Sequence, residues 1–210
     1  MLIDKSGSAI LDEVDSSSAV PGGGSVSALV GAFGVSLARM YGHLSIAKKR
    51  FLALDEKIQA DFKENFETLE ALKEDLIEAC DNDSEAYDEV MKAYRLPKEN
   101  DEEKILRMEA IKKATDIAIA SPLKIMELAI EAMRIMIKMI DHGNKNAISD
   151  LGCAVLFMDG AINGASLNVL INLGSIEEEK KFLLEAKVNE LINESTDIKN
   201  KAISKIKDML

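Results

Sequence analysis

Two apolar stretches, residues 24–45 and 149–173, carry small side chains where ordinary core helices carry large ones. The first has Gly24, Ser27, Ala28, Gly31, Gly34 and Ala38 at spacings of three and four. The second has Gly152, Gly160, Gly164 and Ala165. On a helix such residues form one stripe, and a stripe without bulk lets two backbones approach closely. A transmembrane reading of these stretches fails on their polar residues. Arg39 interrupts the first, and Asp159, Asn163, Asn168 and Asn172 interrupt the second. The stripes therefore predict two central helices of a bundle, buried and shared across a subunit interface.

The rest of the chain fits that frame. Aromatic residues make up only 4%, Trp is absent, and three prolines serve 210 residues, whereas Met occurs ten times. This usage favours helix over strand. Apolar positions from Phe51 to Met91 recur at helical spacing, predicting one long helix with a possible break at Asp81-Asn82-Asp83 and a stop at Leu96-Pro97. Further helices are expected over 2–15, 100–120, from Pro122 to about Asp141, 149–173 and 176–209. Ser121 would cap the helix that Pro122 opens. The predicted fold is an all-α, single-domain helical bundle spanning 1–210, with long central helices and dimeric or higher homo-oligomeric through them.

Charge and motifs exclude several functions. A net charge of -11 disfavours nucleic acid and anionic membranes as partners. Cys80 and Cys153 sit in apolar helical patterns and read as small buried hydrophobes of a reducing compartment. The first residues lack the basic and apolar regions of a signal peptide, so a cytoplasmic location is expected. No ligand-spaced cluster suggests a metal. Asp81-Asn82-Asp83-Ser84-Glu85 begins like a calcium loop but has Ala86 and Lys92 where that loop needs Gly and Glu. Gly22-Gly23-Gly24-Ser25 lacks the Lys-Ser/Thr of a P-loop.

That glycine run is nevertheless the leading site candidate. It places bare backbone N–H groups at a helix N-terminus, where the dipole favours negative charge. The competing reading is a turn that lets helices pack closely. Polar residues in the 149–173 helix raise a similar choice. Asp150 and Asn168 fall on one face with Asn172 about 40° away, at about 100° per residue. Asp159 and Asn163 lie opposite and suit interhelical bonding. Asn144, Asn146, Ser149 and Asp150 gather at the mouth of that helix, with Ser149 a natural cap. Lys48-Lys49-Arg50 concentrates positive charge in an acidic chain, suiting either an anionic ligand or the end of a helix dipole.

Four of these stretches together resemble the cyclodeaminase/cyclohydrolase family of folate enzymes. They are Pro21-Gly22-Gly23-Gly24-Ser25, Ile46-Ala47-Lys48-Lys49-Arg50-Phe51, Asp83-Ser84-Glu85-Ala86-Tyr87 leading to Leu96-Pro97-Lys98, and Asn144 to Asp150 leading to Asn168 through Leu173. They occur in the family's order and span nearly the whole chain. One departure is His43-Leu44-Ser45-Ile46-Ala47-Lys48-Lys49, where the family usually has Asn-Leu-Thr-Ile-Gly-Lys-Lys. His43 adds a group that titrates near neutrality.

The resemblance implies an all-helical dimer with a tetrahydrofolate derivative as substrate and no further cofactor. It also implies conversion of 5-formiminotetrahydrofolate to 5,10-methenyltetrahydrofolate and ammonia. The alternative is methenyltetrahydrofolate cyclohydrolase, which gives 10-formyltetrahydrofolate. A non-catalytic helical scaffold is a remoter alternative. On this reading Asp83 or Asp150 faces the one-carbon unit. Lys49 or Lys48 anchors the glutamate tail or relays a proton, and His43 is a second relay candidate. Gly22, Gly23, Gly24 and Ser25 hold polar folate atoms, and Asn144, Asn168 and Asn172 orient the ligand.

Overall fold

A computed structural model describes residues 1–210. After a 3-10 turn at Leu2–Asp4, seven helices follow: α1 (Gly7–Val14), α2 (Gly23–Ile46), α3 (Lys49–Leu52), α4 (Glu56–Tyr94), α5 (Asp101–Met139), α6 (Ile148–Asn172) and α7 (Glu178–Lys207). Short 3-10 turns at Lys145–Ala147 and Leu173–Ser175 flank α6, and there is no strand. The all-α expectation is met. The expected helix over 2–15 is instead the first turn plus α1.

The two small-residue helices pack against each other inside one protomer, antiparallel. A Cβ placed on Gly31 would meet Ala161 at 3.6 Å, and one on Gly34 would meet the Ala154 carbonyl at 3.1 Å. Ser27 stands against Gly164 in the same way. Their small residues thus serve a close contact inside the protomer. Amphipathic α4, α5 and α7 pack around the pair, and 41 buried residues from all these helices join in one core.

α2 and the segment 145–175 are long and apolar enough to cross a membrane by length and composition alone. Within the bundle the charged residues that interrupt these stretches, Arg39 and Asp159, are paired with neighbouring helices. Arg39 bonds Glu70 and the Phe66 carbonyl, each at 2.5 Å. Asp159 accepts from Ser195 at 2.7 Å and from Lys199 at 2.8 Å, tying α6 to α7. Asn163 instead donates to the Asp159 carbonyl of its own helix.

Two expected helix breaks are absent. α4 runs unbroken through Asp81-Asn82-Asp83 because these acids bond other segments, not their own backbone. Asp81 accepts the Leu2 N–H at 2.8 Å, and Asp83 accepts the Ser25 hydroxyl at 3.0 Å. α5 likewise continues through Pro122, which is buried inside it. An internal proline removes one helical hydrogen bond and costs about 3 kcal/mol in an isolated helix. Here the stranded Ala118 carbonyl accepts from Asn172 Nδ2 at 3.1 Å. Ser121 caps nothing, and its buried hydroxyl has no partner. Ser149 is not a cap either: α6 starts at Ile148, and Asn144 caps the preceding turn through the Asn146 N–H.

Candidate functional site

α2 begins without a side-chain cap, at Gly22. Its first turn receives a carboxylate from α4 in place of a cap. Asp83 lies against Gly24 so closely that a Cβ there would overlap its oxygens. The carboxyl accepts from the Ser25 hydroxyl at 3.0 Å and from the Ser25 backbone N–H, and Ser25 Oγ lies 2.9 Å from Ser84 Oγ. Burial pushes the Asp83 pKa above its ordinary value of 3.8, and the two Ser25 bonds offset part of that rise. Desolvation favours the neutral form and the donors favour the ionised form.

A cleft of about 300 Å³ opens beside this carboxyl. Gly22, Gly23, Asp83, Asn168 and Asn172 line it, joining three stretches far apart in sequence. Asn168 reaches Gly23, where an added Cβ would meet its Nδ2 at 3.1 Å. Asn168 Nδ2 also donates to the Gly164 carbonyl at 3.0 Å. The apolar wall comes from Val20, Tyr87, Val90 and Ile171. Sequence reasoning missed that wall, because isolated apolar residues on helices carry no signal separating cleft from core. The Val20–Pro21 peptide bond leading into the cleft is cis.

A second cleft, about 500 Å³, lies at the other end of α2. Lys48, Lys49, Arg50 and Lys145 line it with Asn144 and Asn146, and no carboxylate does. None of these four cations is ion-paired. The turn that carries Asn144 is pinned to α2: its N–H donates to Ser45 Oγ at 2.8 Å and its side-chain amide to the Leu44 carbonyl at 3.2 Å. Tyr41 supports the turn from below, donating to the Ile140 carbonyl at 3.1 Å. Arg50 belongs to the cationic run already noted in the sequence, and Lys145, next to Asn144, is an addition to the predicted set.

The two clefts are separated by the 24 residues of α2, roughly 35 Å at the helical rise. Within one protomer the predicted residues therefore form two groups. Gly22–Ser25, Asp83, Asn168 and Asn172 make one; Lys48, Lys49 and Asn144 make the other. Asp150 sits in the first turn of α6, at the cationic end and away from Asp83. His43 is in neither cleft. It is exposed and stacks edge-on against Phe66 at 4.7 Å between centroids, beside Arg39, Glu70 and Lys73. No group of His, Cys, Asp and Glu is arranged to hold a metal ion. Of the cysteines, Cys80 is buried, its thiol pushed up to about 12 by burial, whereas Cys153 is exposed, contrary to expectation.

A sequence profile described as formiminotransferase-cyclodeaminase matches residues 6–194. The chain belongs to this family. It is 38% identical over 172 residues to the methenyltetrahydrofolate cyclohydrolase of Methylorubrum extorquens, covering 80% of this chain and 79% of that one. It is 33% identical over 178 residues to the rat formimidoyltransferase-cyclodeaminase, covering 85% of this chain but only 32% of the rat protein. Among solved structures, the formiminotetrahydrofolate cyclodeaminase of Thermotoga maritima superposes with a TM-score of 0.79 at 25% identity, covering 100% of this chain and 98% of that one. Family membership bears out the resemblance read from the four motifs.

Proposed function

We propose that this protein is a folate one-carbon enzyme that converts 5-formiminotetrahydrofolate to 5,10-methenyltetrahydrofolate and ammonia. The observation that carries the reading is the Asp83 carboxyl, partly buried and raised in pKa, at the uncapped glycine start of α2 inside a cleft. In this reaction N10 attacks the formimino carbon and loses its proton. The departing nitrogen gains two protons, the one lost by N10 and one drawn from water, and leaves as ammonia. A carboxyl that takes the N10 proton and returns one to the leaving nitrogen serves both needs. Its ionised form also faces the methenyl cation that results.

Hydrolysis of the methenyl species to 10-formyltetrahydrofolate is the second reading, favoured by 38% identity to a cyclohydrolase of similar length. There water takes the place of the departing nitrogen at the same carbon. A spectrophotometric assay separates the two: the methenyl absorbance rises from the formimino substrate with ammonia release, or falls faster than the uncatalysed rate in water. A pure protein that accelerates neither conversion overturns the proposal.

The cationic cleft suits the carboxylates of a glutamate tail, with Lys48 and Lys49 as anchors. One folate does not reach it from Asp83 along α2 of the same protomer. The outward faces of α2 and α6 offer a route. Phe33, Met40, Leu44, Phe157, Leu167 and Ile171 are exposed there, at up to 79% for Ile171. The expected homodimer, formed by a two-fold across this face, lays the cationic end of one protomer beside the Asp83 end of the other. Opposite charges then meet, the apolar face is covered, and one ligand touches both clefts. A cytoplasmic setting accords with the two free cysteines.

A further inference from the structure

The proline inside α5 acts on the Asp83 cleft through α6. Pro122 has no N–H, so the Ala118 carbonyl four residues earlier lacks its helical donor. Asn172 Nδ2 replaces that donor at 3.1 Å and gives a second hydrogen bond to the Asn168 carbonyl at 2.8 Å. A primary amide nitrogen carries two protons, and both are committed here. Reversing the amide would set Oδ1 against two carbonyl oxygens. Asn172 and Ala118 both line the cleft, and the hydrogen bonds of the Asn172 side chain both run from Nδ2, which leaves Oδ1 without a protein donor.

We propose that the Pro122–Ala118–Asn172 contact fixes the Asn172 amide so that it offers the cleft an acceptor only, selecting an N–H donor on the bound ligand. The naming of that donor as one of the ring or amino N–H groups of a reduced pterin rests on the folate reading above. The orientation of the amide does not. Asn168 and Asp83 stand beside it, so an N–H-bearing edge meets carbonyl and carboxyl oxygens together. A ligand group offering only acceptors would face Asn172 Oδ1 unpaired. In this arrangement Asn172 is a specificity-determining residue and Pro122 a positioning residue.

A double-mutant cycle tests it with Asn172→Leu and Pro122→Ala, the second restoring the helical N–H to the Ala118 carbonyl. The full chain is unfolded in urea, and KM and kcat are measured with 5-formiminotetrahydrofolate and with 5,10-methenyltetrahydrofolate. Asn172→Leu alone lowers the urea midpoint, and the Pro122→Ala background removes half or more of that loss. Against wild type, KM rises about tenfold in Asn172→Leu and in the double variant, the weight of one ligand hydrogen bond. In Pro122→Ala alone KM rises by a smaller factor, and kcat is much less affected throughout. An unchanged KM in Pro122→Ala overturns the positioning role. An equal midpoint loss in both backgrounds overturns the coupling to Pro122. A double variant whose KM recovers along with its stability overturns the acceptor role and leaves Asn172 a brace. Wild-type protein that neither binds nor converts either folate overturns the folate reading and the pterin donor with it, while the midpoint coupling persists.

Discussion

The carboxyl of Asp83 occupies the space that a side chain on residue 24 would fill, and Gly24 is what allows it to reach the first turn of α2. The glycine run thus has a specific task in a helix whose glycines all have ordinary negative φ. It clears room for a carboxyl from α4 and for the Asn168 amide from α6.

Gly24→Ala drives a methyl group into that carboxyl. The expected result is a fall in kcat on the order of 10²-fold, the scale of an ångström-level displacement of a reacting group. Gly23→Ala meets only the movable Asn168 amide, at 3.1 Å, and loses much less. Steady-state kinetics on both variants checks the contrast; equal losses would contradict it.

Asp83 also sets a pH signature. Its folded pKa lies above 3.8, so between the unfolded and folded values the native chain holds a proton the unfolded chain has released. Its contribution to stability is therefore present at lower pH and is lost as pH rises through that window, staying low above it. Asp83→Asn removes this trend. Urea midpoints from pH 3 to pH 7 for both proteins reveal it as a difference that grows in the variant's favour and then levels off. Turnover by Asp83→Asn falls by about 10²-fold or more, the typical weight of a general acid–base.

Mixing two inactive variants tests whether sites are shared between protomers. Asp83→Asn disables one end of α2 and Lys49→Met the other. Random exchange of subunits makes half of the dimers mixed, each with one intact pair of clefts, so activity returns to about one quarter of wild type. Phe33→Asp on the outward face keeps the chain monomeric in sedimentation and abolishes the recovery. No recovery from a verified mixed dimer means that each protomer works alone.

Tyr41 holds the turn that carries Asn144. Burial pushes its hydroxyl up to about 12, partly countered by the Gly143 N–H. Tyr41→Phe strands the Ile140 carbonyl and costs about 1 kcal/mol in chemical denaturation. In wild type the contribution of this phenol is complete below its unfolded pKa near 10 and is lost as pH climbs towards 12. The variant lacks that alkaline decline.

Much of this architecture is written in local patterns. The 3.6-residue periodicity of α4 and the small stripes of α2 and α6 place each helix within a few residues. Part of the lining of the candidate cleft was legible too, in the glycine turn, the Asp83 stretch and the paired Asn168 and Asn172. What failed were inferences from local rules whose exceptions depend on distant partners. Pro122 reads as a helix start until Asn172 is known to take the Ala118 carbonyl. Asp81 and Asp83 read as breakers until Leu2 and Ser25 are known to bond them. The separation of Lys49 from Asp83 was also hidden, since motif order says nothing about which end of a helix each motif reaches.

The continuous helix through Pro122 finally constrains how this chain can change. Loss of the amide at residue 172 leaves the carbonyl of residue 118 without a donor, whereas a residue with an N–H at position 122 supplies one. The order of substitution therefore matters: replacement of the proline opens position 172, and the reverse order passes through a weakened intermediate. The two positions are thereby coupled although fifty residues separate them along the chain.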